Sequence, residues 1–354
     1  MFDVNFESED PQVLSHPQYQ DKVPYLLEKL KPFDLKNHFI LFSSGTTGGD
    51  LKGYAVSKKA LFANAKAVND HFNLSPEDVS GLSLPVYHIG GLSVLARAYL
   101  LGNKVVDARS WNPETWSQKM DDVAITTIVP TQLYDLVKRR ISPSKKLKYL
   151  IVGGDLLSSG LKAEAINLGW PVIRTFGMSE VCSQLGSAKS PESDTLEILP
   201  IHKIKIKDER LLVKSEALFT LEFIIGKEFT VKMAHELCDE EGYYITKDRA
   251  SFDDGVFKHL GRIGDEFKIA GHLVNLPELK NSLSNFLLEN DLYGQMEITI
   301  EDDDRKGKKL VILALSEPGY HRDEISRALL PAKIDEWRIV SSFERTALGK
   351  LKRT

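Results

Sequence analysis

The sequence carries, directly after the apolar run Phe39–Phe42, the stretch Ser43-Ser44-Gly45-Thr46-Thr47-Gly48-Gly49-Asp50-Leu51-Lys52-Gly53. Its glycines let the backbone turn so that successive N–H groups point at one anion. The hydroxyl groups add neutral donors, and Lys52 adds a compact positive charge. The spacing is neither that of a Walker loop nor that of a Gly-x-Gly-x-x-Gly turn. The stretch therefore predicts a loop that covers nucleotide phosphates at the end of a strand.

The apolar pattern around this loop is typical of an α/β sheet. Over residues 38–177, short apolar runs alternate with helical patterns, which favours a mainly parallel sheet covered by helices. After Ser190 apolar and basic residues alternate, as in antiparallel β-structure, and from about Arg262 a compact α+β pattern follows. We therefore predict a large α/β domain with an antiparallel section over residues 1–261, and a small α+β C-terminal domain over residues 262–354.

The periodicity also gives approximate bounds for the elements of the large domain. The predicted strands are Phe39–Phe42, Ser80–Pro85, Lys104–Asp107, Ala124–Pro130, Tyr149–Gly153 and Val172–Phe176. The predicted helices are Gly91–Leu101, Pro113–Asp121, Gln132–Arg140 and Ser158–Leu168. Ser57 has the character of an N-cap for one more helix.

Composition excludes several classes of protein. The chain has 354 residues, 42% hydrophobic and 27% charged, which is typical of a globular protein. Its formal net charge of −4 gives no reason to expect nucleic acid as a partner. The best apolar run, Leu92–Leu101, is too short to span a membrane and carries Arg97. The acidic start lacks a signal sequence, and the two cysteines form no disulfide framework, so we expect a cytoplasmic protein with free thiols.

Four further motifs follow the loop, each at the edge of a predicted element. They are Thr175-Phe176-Gly177-Met178-Ser179-Glu180, Tyr244-Ile245-Thr246-Lys247-Asp248, Gly261-Arg262-Ile263-Gly264-Asp265-Glu266-Phe267-Lys268 and Thr346-Ala347-Leu348-Gly349-Lys350-Leu351.

In this order, the five elements resemble the adenylate-forming superfamily of acyl- and aryl-CoA synthetases, luciferases and peptide-synthetase adenylation domains. The resemblance runs from about Phe39 to Arg353. Within the superfamily, three strings resemble the o-succinylbenzoate–CoA ligase family of menaquinone biosynthesis. They are Leu84-Pro85-Val86-Tyr87-His88-Ile89-Gly90-Gly91-Leu92, Val129-Pro130-Thr131-Gln132-Leu133 and Phe176-Gly177-Met178-Ser179-Glu180-Val181-Cys182-Ser183-Gln184.

The resemblance implies a ligase that uses ATP, Mg²⁺ and coenzyme A to activate a small carboxylic acid. Glu180 would hold Mg²⁺, and the catalytic Lys350 would lie between the substrate carboxylate and the α-phosphate. His88 and Gln132 would line the acid pocket, with His88 also close to the chemistry. The residues implied to contact ATP are Ser43, Ser44, Gly45, Thr46, Thr47, Gly48, Lys52, Gly153, Gly154, Phe176, Gly177, Ser179, Asp248 and Arg262.

The sequence also departs from the family pattern. Three residues, Gly49-Asp50-Leu51, separate Gly48 from Lys52 where the family usually has two. Lys247 replaces the usual glycine before the motif's aspartate. Gly264 stands at the hinge position, which leaves Asp265 as the hinge carboxylate and still permits backbone rotation. About forty residues precede the loop, fewer than in the family, so we expect one wall of the acid and coenzyme A channels to be reduced or supplied by a second copy in a homo-oligomer.

Three functions stay open at this point. The first is an active o-succinylbenzoate–CoA ligase, and the second is another aryl- or acyl-CoA ligase or an acyl-AMP ligase. The third is a non-catalytic ATP-binding homologue. Lys350 argues against the third, because a pure binder needs no charge at the reacting oxygen. Individually, Glu180 is also compatible with a helix cap and Asp248 with a turn.

Overall fold

The computed structural model describes residues 4–43, 50–269, 272–303, 307–319 and 321–343. Its strands are β1 (Gln12–Leu14), β2 (His38–Phe42), β3 (Leu51–Ser57), β4 (Ser80–Leu82), β5 (Val105–Asp107), β6 (Ile125–Ile128), β7 (Tyr149–Val152), β8 (Val172–Met178), β9 (Ser183–Ser187), β10 (Glu197–Ile198), β11 (His202–Lys207), β12 (Arg210–Ser215), β13 (Leu221–Ile225), β14 (Phe229–Met233), β15 (Tyr244–Asp253), β16 (Val256–Arg262), β17 (Glu266–Ile269), β18 (His272–Asn275), β19 (Met296–Asp303), β20 (Gly307–Ala314) and β21 (Glu336–Ile339).

Its helices are α1 (Val23–Leu30), α2 (Lys58–His71), α3 (Ile89–Leu101), α4 (Pro113–Lys119), α5 (Pro130–Lys138), α6 (Ser159–Asn167), α7 (Leu276–Glu289) and α8 (His321–Ala328). Short 3₁₀ helices cover Pro17–Lys22, Lys31–Phe33, Ser179–Val181 and Ala234–Leu237. Within the described ranges, no helix combines the length and apolar character needed to cross a bilayer.

The central sheet is mainly parallel, as the sequence predicts. Its seven strands run in the order β10-β9-β8-β7-β6-β4-β5, and the five strands from β8 to β5 are parallel. Its inner strands are short apolar runs such as Tyr149–Val152, in which the last three residues are buried. Helices α4, α5 and α6 cover one face through Trp116, Leu133 and Leu161, all fully buried. On the other face, Ile125, Ile151 and Ile173 belong to a second buried cluster. Burial on both faces is what keeps a parallel sheet stable.

A second sheet carries the predicted phosphate loop. Its order is β1-β2-β3-β13-β14, and β2 and β3 form an antiparallel hairpin whose loop begins at Ser43. The backbone N–H of Ser43 donates to the carbonyl of Lys52 at 2.7 Å, which closes the base of the hairpin. Strand β3 is not among the strands predicted from the sequence. Gly53 made this segment resemble a loop, but a Cβ there would lie 2.2 Å from Cζ of Phe223, so glycine serves close strand packing.

The antiparallel section forms a third sheet in the order β11-β12-β15-β16. Asp208 and Glu209 connect β11 to β12 with φ values of 50° and 59°, as in a two-residue hairpin turn of type I′. The pairing of β15 with β16 sets Asp248 opposite Arg262.

The C-terminal part has its own apolar core, built from α7, α8 and the three-stranded sheet β19-β20-β21. Strand β16 ends at Arg262, the first residue of the predicted C-terminal domain, and the domain boundary stays a prediction. Helix α7 contacts the start of α6: Oδ1 of Asn285 accepts from the N–H of Gly160 at 3.1 Å, and its Nδ2 donates to Oγ of Ser159 at 3.1 Å.

Two strands that were predicted to extend to a proline end before it. Strand β4 ends at Leu82 instead of Pro85, and β6 ends at Ile128 instead of Pro130. Proline has no N–H to donate to a neighbouring strand. Pro130 instead opens α5 at its first position, where no N–H is needed.

Candidate active site

Several predicted ATP contacts lie where parallel strands of the central sheet end. Gly153 and Gly154 follow β7, and Phe176 and Gly177 lie near the end of the adjacent β8. Ser179 comes directly after β8, in the 3₁₀ helix Ser179–Val181. The carboxyl ends of parallel strands form the usual binding edge of an open α/β sheet. The fold therefore brings these five residues to one edge.

Asp248 is a buried carboxylate with two cationic or polar donors. It is 5% exposed, and its Oδ1 accepts from Nε2 of His259 at 2.9 Å and from Nε of Arg262 at 3.4 Å. Burial is the largest influence and would raise the pKa of Asp248, but the His259 hydrogen bond and the Arg262 charge outweigh it. The pKa of Asp248 is therefore lowered, and the group stays an ionised acceptor. A carboxylate of this kind suits hydroxyl donors such as those of a ribose.

Phe176 presents an aromatic ring next to this carboxylate. Its ring lies 4.3 Å from the imidazole of His259 with an angle of 27° between the planes, and 5.6 Å from the ring of Phe257. Phe176 is among the residues predicted from the sequence, whereas His259 is not. No sequence motif indicated His259, because it reaches Asp248 only through the pairing of β16 with β15 in a hairpin.

Glu180 connects the end of β8 to the β2–β3 hairpin. Its Oε1 accepts from the hydroxyl of Tyr54 at 2.6 Å, which ties the 3₁₀ helix to β3. Burial, followed by the charge of Glu180, raises the pKa of Tyr54, so the phenol remains a donor. Burial would lower the pKa of Arg262, but the carboxylates of Asp248 and Glu180 outweigh it and raise that pKa. The charge of Glu180 thus raises the pKa values of both Tyr54 and Arg262.

The carboxylate oxygens of Glu180 are suitable ligands for Mg²⁺. Hard carboxylate oxygens are ligands of this ion, which keeps several waters and needs only one or two protein carboxylates beside substrate phosphates. Among the residues with described positions, no group of three possible metal ligands occurs. A single carboxylate held by a neutral donor is therefore compatible with a shared protein–phosphate site, in which Glu180 would be the protein ligand.

Lys52 pairs with a protein carboxylate, whereas a phosphate was the expected partner. It lies in β3 rather than in the loop, and its Nζ forms an ion pair with Oε2 of Glu222 at 2.5 Å. The same ammonium lies 5.0 Å from the centre of the Tyr54 ring. The predicted contact of Lys52 with phosphate would therefore require exchange of this ion pair.

The two predicted acid-pocket residues flank helix starts. His88 directly precedes α3, and its carbonyl accepts from the N–H groups of Gly91 and Leu92 at 3.0 Å. Gln132 lies in the first turn of α5, and its Oε1 accepts from the N–H of Val129 at 3.1 Å. Gln132 thus also stabilises the start of its own helix.

Arg97 is a functional candidate that the sequence analysis did not assign. It lies in α3, is 2% exposed, and its Nε and Nη1 have no hydrogen-bond partner among the described residues. Its Nη2 lies 3.5 Å from Oγ1 of Thr127, near the end of β6. Burial lowers its pKa to about 10. The available signal was a single arginine inside an apolar helix, since an unpaired buried cation is costly unless an anion binds it.

The predicted hinge residues form a tight turn. The N–H of Asp265 donates to the carbonyl of Arg262 at 2.9 Å, and Gly264 has a φ of 91°, as the third residue of a type II turn requires. The carboxylate of Asp265 accepts from the N–H of Arg262 at 2.8 Å. The predicted residues Ser44, Gly45, Thr46, Thr47, Gly48 and Lys350 lie outside the described residues, and their roles stay predictions.

Comparison with known proteins gives matches over most of the chain. The model of a family described as "AMP-binding enzyme" matches residues 4–214. The 2-succinylbenzoate–CoA ligase of Staphylococcus epidermidis is 26% identical over 334 residues, covering 89% of this chain and 68% of the relative.

Two solved structures show the same fold. The o-succinylbenzoate CoA synthetase (MenE) of Bacillus subtilis in complex with the acyl-adenylate intermediate OSB-AMP has a TM-score of 0.75 and 21% identity. The same enzyme in complex with ATP and magnesium ion has a TM-score of 0.74 and 21% identity. Each match covers 89% of this chain and 68% of the other chain. These findings confirm the predicted fold class and the predicted resemblance, and the chain spans about two thirds of the length of these proteins.

Proposed function

Because the chain belongs to the AMP-binding enzyme family, we propose that it is an AMP-forming acid–thiol ligase that joins 2-succinylbenzoate (o-succinylbenzoate) to coenzyme A. The observation that carries the choice of acid is Arg97, a buried guanidinium without a carboxylate partner among the described residues. 2-Succinylbenzoate has two carboxylates, of which only one reacts. The second carboxylate is the anion that a buried arginine needs.

The position of Arg97 supports this assignment. Helix α3 begins beside His88, and the Thr127 hydroxyl that Arg97 approaches lies in the strand that leads to Gln132. Arg97 therefore lies in the helix that His88 precedes and approaches the strand that precedes the helix of Gln132. A planar guanidinium also matches a carboxylate with two parallel hydrogen bonds, which gives the contact direction as well as energy.

On the nucleotide side, Phe176 supports adenine, Asp248 accepts the ribose hydroxyls, and Arg262 reinforces the ribose contact. Ser179 and the hairpin that begins at Ser43 contact the phosphates. Glu180 would hold Mg²⁺, which would neutralise phosphate charge when bound. This arrangement rests on the strand ends and on the ionised state of Asp248 described above.

Two steps complete the reaction. The aliphatic carboxylate attacks the α-phosphorus of ATP, and pyrophosphate leaves with the electrons of the broken P–O bond. The sulfur of coenzyme A then attacks the acyl carbon, its proton is released, and AMP leaves. In the first step, the charge of Lys350 reduces the repulsion between the substrate carboxylate and the α-phosphate. Both cysteines are free thiols, which suits the cytoplasmic location expected from the sequence.

An isotope-exchange assay between ATP and pyrophosphate tests the proposal. Exchange should depend on 2-succinylbenzoate and should nearly vanish in Lys350→Ala, whereas ATP binding measured by calorimetry should persist. The control is Lys308→Ala, which removes a surface lysine paired with Asp302 and should leave exchange unchanged. Exchange with a different acid only would overturn the substrate, and ATP binding with no exchange under any acid would favour a non-catalytic nucleotide-binding protein.

A further inference from the structure

His259 contacts both side chains that the proposed function assigns to the nucleoside. Its Nε2 lies 2.9 Å from Oδ1 of Asp248, and its ring lies 4.3 Å from that of Phe176. The His259 side chain is 27% exposed, so one part of the ring is buried against these partners while another part reaches the site edge. Among the described residues, only His259 both hydrogen-bonds Asp248 and stacks on the ring of Phe176.

The strand pairing explains how His259 reaches Asp248. In β15 and β16, Ala250 pairs with His259 and Arg249 pairs with Gly261, so Leu260 is an extra residue on β16. Such a bulge bends a strand and redirects neighbouring side chains. Because of it, His259 and Arg262, three residues apart, both direct nitrogen atoms to the carboxylate of Asp248.

The two donors to Asp248 differ in exposure and in hydrogen-bond length. The Arg262 side chain is 53% exposed and its Nε contact is long at 3.4 Å, whereas His259 makes the shorter bond from a more buried position. Since Asp248 is ionised, the Nε2 of His259 must carry the proton that the carboxylate accepts. The imidazole therefore fixes one carboxylate oxygen and leaves the other available for an incoming hydroxyl.

We propose that His259 is a nucleotide-positioning residue, which orients the Asp248 carboxylate toward the ribose hydroxyls and, stacked on Phe176, forms one side of the adenine site. The ligand class is an adenosine nucleotide with an intact ribose. This inference rests on the proposed function, because it assumes that an adenosine nucleotide binds at this edge of the sheet.

The experiment measures binding of AMP and of 2′,3′-dideoxy-AMP by calorimetry, which requires no turnover. His259→Phe keeps an aromatic ring on Phe176 but removes the hydrogen bond to Asp248. It should weaken AMP binding about tenfold, the effect of losing one hydrogen bond to a charged group, and should leave dideoxy-AMP binding nearly unchanged. His259→Gln restores an N–H donor and should recover part of the AMP affinity.

A matched control is Lys258→Ala, which removes an exposed side chain on the same strand and should not change either affinity. Thermal melting checks that each variant is folded. Equal loss of AMP and dideoxy-AMP affinity in His259→Phe, or no loss of either, would overturn the positioning role. Failure of the wild-type protein to bind AMP at all would instead contradict the proposed function.

Discussion

Replacing Arg97 with methionine should separate the acid-binding role of this residue from its structural cost. Burial lowers the pKa of Arg97 from 12.5 to about 10, which corresponds to about 3 kcal/mol of lost solvation of the charged form. Replacing even a buried ion pair by apolar side chains of similar volume is often neutral or stabilising, by about 1–4 kcal/mol, and Arg97 has no compensating carboxylate among the described residues. We therefore expect Arg97→Met to have an unchanged or higher free energy of unfolding.

The same substitution should weaken use of the proposed acid. A hydrogen bond to a charged group contributes about 1.5–3 kcal/mol, so kcat/KM for 2-succinylbenzoate should fall about 10- to 150-fold. The analogue 4-oxo-4-phenylbutanoate lacks the ring carboxylate, and its kcat/KM should be unchanged or higher in the variant. The KM for ATP should not change, because Arg97 lies in α3, a helix that carries none of the predicted nucleotide contacts.

Urea denaturation gives the stability, and pyrophosphate exchange at varied acid concentration gives the kinetic constants. Arg139→Met is the control, since it removes an exposed arginine that pairs with Glu114 on the surface and should alter neither quantity. A large loss of stability in Arg97→Met, together with equal loss of activity toward both acids, would refute the reasoning and make the guanidinium a structural group.

Two further predictions concern the nucleotide side and the buried core. Tyr54→Phe removes the hydroxyl that orients Glu180, so the Mg²⁺ concentration for half-maximal exchange should rise several-fold; an unchanged requirement in a magnesium titration would contradict the role assigned to Tyr54. Burial lowers the pKa of His202 to about 4, below the usual 6.5, so the unfolded chain binds this proton more readily and stability should fall by about 3 kcal/mol as pH drops from 6.5 to 4. Urea denaturation across this range should show a shallower pH dependence for His202→Gln than for wild type.

The sequence predicted those features that local pattern encodes. Ser57 begins α2 as expected, because its Oγ accepts from the N–H of Ala60 at 3.1 Å, one of the donors that a helix start leaves unpaired. The parallel strands were recognisable because burial on both faces demands continuous apolar runs such as Leu150–Val152. The glycine-containing motifs were recognisable because they end these strands.

The contacts that complete the site depend on pairing between distant segments, and no local pattern records them. Tyr54 and Glu180 are 126 residues apart, and the hydroxyl reaches the carboxylate only because the second sheet packs beside the first. His259 reaches Asp248 through a one-residue bulge that no motif marks. Strand β3 was missed because Gly53 suggests a loop, whereas its actual role is to admit the ring of Phe223.

The proposed site has an anionic group, Asp248, in its nucleotide part and a cationic group, Arg97, in its acid part. This difference suggests how the acid is selected. The Asp248 carboxylate, which we propose faces the nucleotide, already has protein donors. Arg97, which we propose faces the acid, has two nitrogens without protein partners among the described residues. An acid with one carboxylate uses it in the reaction and leaves Arg97 buried and unpaired. An acid with two carboxylates satisfies both needs. Selection then arises from the penalty on the wrong acid, which is the stronger route, because sites that must hydrogen-bond a substrate group reject analogues without it.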